Sequence, residues 1–329
     1  MIFRQAVISI YPAIAGTPGE YKLMPDLDIV FRQPYHNFGL SFTFNFTKSF
    51  AVSMSICNIT INNPSKNMIS MMQFDTKTYY NRPKIEIWAG ESEYKLLSND
   101  ALSVQGLKSS PGMSMVYTGY PIFFVENKFV GGKSLYIQLS DVNPPDASQR
   151  ITKNFNSGIT LIDLLTQISA YAHASWDLSQ ISSDPTFSSV VIPHSVIYTA
   201  KNIYAHVLPE LSRLYGFVYN RMADGNLLFI PADYSVQGGN RGEISNLNGM
   251  IEYPTQINWV HWNVKTFYGR PFILYPQEWA TFRASNLDGG FKQAMVVDAT
   301  HNFNDDTAEI IYKISPNGDG PITNPIKVM

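Results

Sequence analysis

The feature that most constrains the fold of this chain is a period-two alternation of apolar and polar residues, running from Met1 to about Val142 and returning after residue 240. The stretch SICNITINNPSKNMISMM, Ser55 to Met72, shows it plainly. Cys57, Ile59 and Ile61 fall on one side of an extended chain, and Ile56, Asn58, Thr60 and Asn62 on the other. This spacing predicts a half-buried strand, and Asn62-Asn63-Pro64-Ser65 supplies the turn chemistry that ends it. The same signature recurs in GLSFTFNFT, KIEIWAG, SMVYTGYPIFFVENKF and KSLYIQLS, so the region from 1 to 142 reads as all-β. The polar insert from Glu91 to Ser110, closed by Pro111-Gly112, reads as an exposed hairpin or loop with a possible contact role.

Composition agrees with a β-rich protein. The 329 residues include 19 Tyr, 20 Phe, 21 Gly and 20 Pro, a mixture that favours strands and turns over helices. A chain of this length can bury the cores of two or three domains. Lys and Arg number 24 against 26 for Asp and Glu, and charged residues make up 15% of the chain, so no strong field favours nucleic acid or an anionic membrane. Cys57 is the single cysteine, so no internal disulfide forms and packed cores must supply the stability, which is compatible with a reducing compartment. Near the N-terminus, Ala13-Ile14-Ala15 has the small-residue look of a secretory cleavage site, yet Tyr11 and Pro12 interrupt the apolar run and Gln5, Val7 and Ser9 alternate with Ala6, Ile8 and Ile10. A first strand is the better reading. No run of 18 apolar residues occurs, and no membrane span is expected.

Asn143-Pro144-Pro145-Asp146 breaks the alternation and the period changes. Leu161, Leu164, Leu165, Ile168 and Ala172 recur at helical spacing, with Thr160 and Asp163 placed as an N-cap and its returning carboxylate. A second helix is predicted over TAKNIYAHVLPELSRLYG, with Thr199 as cap, Ile203, Val207, Leu211 and Leu214 on one face, a kink at Pro209 and a stop at Gly216. FVYNRMADGNLLFI then reads as a hairpin about Asp224-Gly225. QGGNRG, 237 to 242, reads as a linker into a last β region built from MIEYPTQINWVHWNVKTFYG, EWATFRAS, FKQAMVVDATHNF and TAEIIYKIS. The expected organisation is therefore mainly β with a small α+β insert: two similar β-barrel domains, 1–142 and 239–329, flanking a helix-containing domain, 143–238.

The residues offer little chemistry. Gly132-Lys133-Ser134 has the ending of a phosphate loop, but position 127 is Asn where the loop needs Gly, and a strand follows where a helix is required, so a hairpin turn is preferred. The six histidines, at 36, 173, 194, 206, 261 and 301, include no pair with the i,i+4 spacing of a helical zinc site. His194 beside Ser195, and Asp298 near His301, lack the third orienting group that a nucleophile and its base require, and no G-x-S-x-G elbow occurs. Glu91 with Glu93 and Asp305 with Asp306 are carboxylate pairs that could act on a glycosidic bond, although their settings suit solvated turns. Trp259, Trp262 and Tyr268 could stack on a sugar, or serve as core or subunit interface. No catalytic, cofactor-binding or metal-ligating residue is assigned.

The order of these segments resembles the baseplate hub protein of contractile-tailed bacteriophages, related to the late control protein D family and to the hub part of type VI secretion spike proteins. FGLSFTFNFTKSFAVSMSICNITINNPSKNMISMM is similar to that family's early strand pair leading through a turn into a short helical segment, so Lys66 to Met72 is expected to be a helix plugging the end of a barrel. KIEIWAGESEYKLL resembles the family's strand ending in Ala-Gly, here Ala89-Gly90. NFNSGITLIDLLTQISAYAHASW is similar to its small helical domain, and NLNGMIEYPTQINWVHWNVKTFYGRPFILYP to the start of its second barrel. The resemblance implies a structural, non-enzymatic symmetry adaptor without cofactors. A homotrimer of two-barrel chains would form a ring between six-fold tail tube or tube-initiator proteins and a separate trimeric spike protein, in contact with other baseplate proteins. DNA would pass without specific binding, since a basic lumen would hold phosphates through counterion release. The expected location is the tail baseplate of a virion, after assembly in the host cytoplasm. Rival readings are a carbohydrate-binding or carbohydrate-cleaving β protein and a distal tail adaptor of different ring symmetry.

Overall fold

A computed structural model describes residues 2–14, 17, 20–32, 42–49, 54–72, 82–93, 104–110, 112–142, 149–172, 174–232, 241–258, 260–268, 272–276, 278–287, 290–304 and 308–316. The first strand run comprises β1 (Ile2–Tyr11), β2 (Leu27–Arg32), β3 (Phe42–Ser49), β4 (Ile56–Asn62), β5 (Lys84–Glu93), β6 (Met113–Phe129) and β7 (Gly132–Ser140). Alternation decides which face each strand buries. On β4, Cys57, Ile59 and Ile61 are wholly buried while their neighbours stay half exposed, and on β3 the buried set is Phe42, Phe44, Phe46 and Lys48. The predicted helix follows β4 as Lys66–Met72, and its Met68 and Met72 are buried in the same core.

In the middle segment, β8 (Arg150–Phe155) pairs with β10 (Val196–Asn202), and the helix Leu161–Tyr171 buries Leu161, Leu164, Leu165 and Ile168. Its N-terminus is capped as the sequence predicts: Thr160 Oγ1 accepts from the Asp163 N–H at 3.1 Å and donates to Asp163 Oδ2 at 2.7 Å. The second helix differs from its prediction. Residues 196–202 are strand β10, so Thr199 caps nothing. The turn starts at Asn202, whose Oδ1 accepts from the Ala205 N–H at 2.7 Å. A π turn, Ile203–Val207, runs directly into the α-helix Leu208–Tyr215, with Pro209 just after the junction. The extra residue of the π turn rotates the face, and Leu214 is exposed. Gly216 ends the helix at φ 71° as expected. β11 (Phe217–Arg221) and β12 (Leu227–Pro231) form the hairpin about Asp224-Gly225, and β12 pairs in parallel with β9 (Trp176–Asp177). This segment has its own core, and Val218, Ile230 and Ala232 pack it against Trp279, Met295 and Val297.

The last run comprises β13 (Glu243–Ser245), β14 (Thr255–Gln256), β15 (Trp262–Phe267), β16 (Trp279–Arg283), β17 (Phe291–Phe303) and β18 (Ala308–Ser315). It copies the first. The neighbour order is β3-β4-β7-β6-β5-β1 in one run and β14-β15-β18-β17-β16-β13 in the other, the same order in sequence as well as in space. In each, one long strand serves two neighbours. β6 pairs with β5 through Gly119 and then with β7 from Tyr120, while β17 pairs with β16 up to Met295 and with β18 from Met295 onward. Each long strand changes register just after the switch, between Pro121 and Phe123 and between Val296 and Asp298. Such a bulge bends a strand so that one chain can leave one neighbour for another. The copies differ at β13, which is parallel to β16 where β1 is antiparallel to β5, and in β2, which has no counterpart among the described residues.

The insert after β5 also departs from the sequence expectation. The strand runs to Glu93, and the helix Val104–Lys108 carries buried Leu107 and Lys108, so this part packs on the sheet rather than standing clear. Lys108 Nζ sits 5.6 Å from the Trp88 ring and 5.7 Å from the Tyr11 ring, which lets a long cationic stem cover apolar surface. The breaker 143–146 and residues 237–240 of the linker lie outside the described residues.

Ala89-Gly90 acquires a physical reason here. A Cβ on Gly90 would lie 1.8 Å from the Gly112 carbonyl oxygen, backbone that cannot yield without breaking the β5–β6 pairing. Gly90→Ala is expected to destabilise the fold by about 3 kcal/mol or more, read as a lowered urea midpoint.

Candidate functional site

The two strand runs are joined by β3 and β17, which pair antiparallel from Phe44↔Phe303 to Ser49↔Asp298. Beneath this seam Phe44 and Phe303 stack at 5.0 Å, Phe31 meets Phe303 edge-on at 5.2 Å, and Tyr268 closes on Phe44 at 6.1 Å. Burying rings of this size makes the seam part of one continuous core rather than a loose contact between domains. His301 belongs to it. Its ring stacks on Phe46 at 4.2 Å, Nδ1 lies 2.9 Å from the Tyr268 hydroxyl, and Nε2 has no partner among the described residues. Burial, reinforced by nearby Lys48, lowers its pKa to about 3.

At the end of the seam Lys48 Nζ meets Asp141 Oδ2 at 2.6 Å, with both side chains buried. Asp141 also accepts from the Ser55 N–H at 2.8 Å and from Ser55 Oγ at 2.7 Å. Burial lowers the Lys48 pKa, and Asp141 opposes that shift. A small cleft beside this pair is lined by Asn220 and Arg221 of the middle segment and by Tyr275 and Pro276 of the last run. All three parts of the chain therefore meet around one buried ion pair.

The opposite face of the sheet is open; its central strands carry uncharged polar groups, and β15, β17 and β18 beside them carry the ion pairs Lys265–Glu309 at 2.9 Å and Lys313–Asp298 at 3.4 Å. Thr47 Oγ1 lies 3.0 Å from Thr300 Oγ1 across the seam, Asn58 donates to Asn45 at 3.0 Å, and Tyr136 and Gln138 donate to Asn58 at 2.7 and 3.2 Å. These bonds form a polar ladder across β17, β3, β4 and β7. The eight-strand run that carries it, from β14 to β6, ends at β14 and at the Phe123–Phe129 half of β6, neither of which is paired with a further strand among the described residues. Large apolar side chains are exposed along both: Phe123, Val125 and Phe129 at one, Tyr253 and Ile257 at the other.

Among the described residues the structure brings no catalytic set together. Asp298 and His301 lie on opposite faces of β17, the first paired with Lys313 at 3.4 Å and the second in the core. His194 and Ser195 lie in the segment before β10, and Gly132-Lys133-Ser134 opens β7 after the hairpin turn. His261 was expected within a strand and instead sits in the turn before β15. Tyr268 is fully buried and Trp262 packs against the core with Lys292 Nζ 4.9 Å from its ring, so neither offers a flat face to a sugar. Trp259, Asp305, Asp306, His36, His173 and the side chains of Glu91 and Glu93 lie outside the described residues. Among the described residues no group of three or more His, Cys, Asp or Glu could hold a metal ion, and no helix is long and apolar enough to cross a membrane. Sequence reasoning missed the Lys48–Asp141 pair. Lys48 at a core position of an alternating strand was its one visible signal.

No protein-family model and no curated protein sequence matches the chain. Solved structures do. The chain is similar to the 43 kDa tail protein of prophage MuSo2 from Shewanella oneidensis, with a TM-score of 0.52 and 8% identity over 94% of this chain and 97% of that one. It is similar to a tail protein from Neisseria meningitidis, with a TM-score of 0.54 and 9% identity over 94% and 96% of the two chains. A chain of the Francisella PdpA–VgrG complex gives a TM-score of 0.55 and 9% identity; 97% of this chain covers 59% of that one. The fold is that of phage tail proteins and of the VgrG-type hub, mainly β with the helical segment between two sheet-built parts.

Two expectations follow from the seam. Lys48→Met strands the Asp141 carboxylate in the core and is expected to cost about 3–5 kcal/mol in a denaturant titration. His301 is held neutral in the fold and binds a proton more readily when unfolded, so its contribution is complete above about pH 6.5 and falls by about 1.4 kcal/mol per unit below that, down to about pH 3. The slope of stability against pH between 6 and 4 is expected to shrink by about one proton in His301→Gln.

Proposed function

We propose that the chain is a structural, non-enzymatic hub of a phage tail baseplate or related injection machine, acting as a three-copy ring between a six-fold tube and a three-fold spike. The observation that carries this reading is the strand-for-strand repeat with its shared bulge. A chain containing two equivalent sectors presents six sectors in three copies, which is what a six-fold tube needs on one side while the chain itself keeps three-fold symmetry for the other. On this reading residues 1–142 and 239–329 are the two sectors and 143–238 is the domain set between them. The likeness to tail proteins and to the PdpA–VgrG complex supports the same class of assembly, with other tail or spike components as partners.

The polar ladder suits the lumen of such a ring. Eight strands run in order from β14 through β15, β18, β17, β3, β4 and β7 to β6. Three such runs at about 4.8 Å per strand give a backbone diameter of at least about 37 Å, and strand tilt widens it. Inward side chains of about 5 Å leave a bore of about 27 Å, room for a DNA duplex. Thr, Asn, Gln and Tyr on the central strands are uncharged, and Lys265 and Lys313 on the same face are each paired with a carboxylate, so the face provides no free cation array to hold phosphates through counterion release.

Light scattering on the purified chain at increasing concentration is expected to give the mass of three copies. A single-chain mass, unchanged by adding a trimeric spike protein from the same tail, would defeat the reading. Replacing Asn45 and Asn58 with Lys is expected to make the ring retain duplex DNA at low salt and release it as salt rises, whereas the unmodified ring retains none.

A further inference from the structure

The middle segment brings a second cation to the buried Lys48–Asp141 pair. Arg221, the last residue of β11, lines the same small cleft as Lys48, Ser55, Asp141, Met222 and Tyr275. Its charge is not answered there. Asp141 already serves three donors, Lys48 Nζ, the Ser55 N–H and Ser55 Oγ. Asp224, the nearest acidic residue in sequence, turns back on its own hairpin, accepting from the Asn226 N–H at 2.9 Å and from Asn226 Nδ2 at 2.8 Å. Arg221 donates through Nη1 to the Gly225 carbonyl at 2.7 Å and lies 5.5 Å from the Tyr204 ring. Its Nε and Nη2 are buried and have no partner among the described residues, with which it forms no ion pair. The tyrosines nearby add no negative charge, since burial raises the pKa of Tyr117, Tyr219 and Tyr275. Two cations and one carboxylate therefore meet where the three parts of the chain join.

A guanidinium out of water without an acceptor is costly, and Nε with Nη2 form the side of the fork that can give two hydrogen bonds to one partner. The two cations also repel, for burial first and Arg221 with it lower the Lys48 pKa against the pull of Asp141. We propose that this cleft is a halide site, in which one chloride ion rests between Arg221 and Lys48 and completes the charge balance of the junction. Size and charge select the ligand. The cleft has room for about one water-sized particle, too little for phosphate or a carboxylic acid, and Met222 in its wall is a side chain that yields to a slightly larger sphere. Water would fill the space and leave the charge uncancelled. The ion fastens the middle segment to the seam, because Arg221 comes from the one and Lys48 from the other.

Urea unfolding of the whole chain tests this, with sodium chloride exchanged for sodium gluconate at constant ionic strength so that screening stays the same. A ligand held only by the folded chain raises the folded-to-unfolded ratio about tenfold for each tenfold rise in its concentration well above the dissociation constant. That rise is expected with chloride and with bromide, and it is expected to vanish in Arg221→Gln. An Arg221 that only packs would lower the urea midpoint equally in both salts and leave the difference between them intact, and that result would overturn the site. Bromide soaked into crystals of the unmodified chain gives an answer that does not depend on the variant folding. An anomalous scattering peak between Arg221 and Lys48 is expected, and a cleft that takes up no bromide overturns the proposal.

Discussion

The structure depends on the antiparallel seam between β3 and β17. Two sheet-built parts separated by a helical segment could behave as independent bodies on linkers, and here they do not, because their backbones hydrogen-bond strand to strand and Phe31, Phe42, Phe44, Tyr268 and Phe303 fill the space beneath. Polar backbone satisfied by pairing and large rings removed from water act on the same line of residues. The middle segment then docks onto the second part through Val218 and Ile230, and Asn220 Nδ2 reaches the Pro276 carbonyl at 3.3 Å.

The buried Lys48–Asp141 pair is costly to desolvate and cannot be justified by its own attraction. Its position gives it a different meaning. It sits at the end of the seam, where the segment before β4 and the chain after β7 come together. Asp141 also holds the Ser55 amide and hydroxyl there, and Tyr117 donates to the Ser55 carbonyl at 2.8 Å. A shift of β3 against β4 and β7 would separate these groups and leave a charge without a partner. An apolar pair of similar volume would tolerate sliding, whereas this network sets one register.

Much of the fold was legible in the sequence. Alternation around Cys57, Ile59 and Ile61 identified β4 and its buried face, Thr160 and Asp163 marked the helix start, and Asp224-Gly225 marked the hairpin, since each signal is local and carries its own mechanism. The second helix was misread at its start because Ile203, Val207 and Leu211 give the same spacing through a π turn as through an α-helix, while Asn202, the true cap, lay three residues beyond the more obvious Thr199. The insert after β5 was read as exposed because its composition is polar. Leu107 and Lys108 nevertheless find a place on the sheet beside Trp88 and Tyr11, which no local pattern encodes.

By itself the sequence determined strands, caps, turns and the low charge of the surface, because these follow from residue spacing and composition within a few positions. Only the tertiary structure decided that β17 accepts β3, that the two long strands bulge at matching places, and that His301 is a core residue. Those facts concern pairs of residues as far apart as Thr47 and Thr300, and a one-dimensional pattern holds no record of which strand lies beside which.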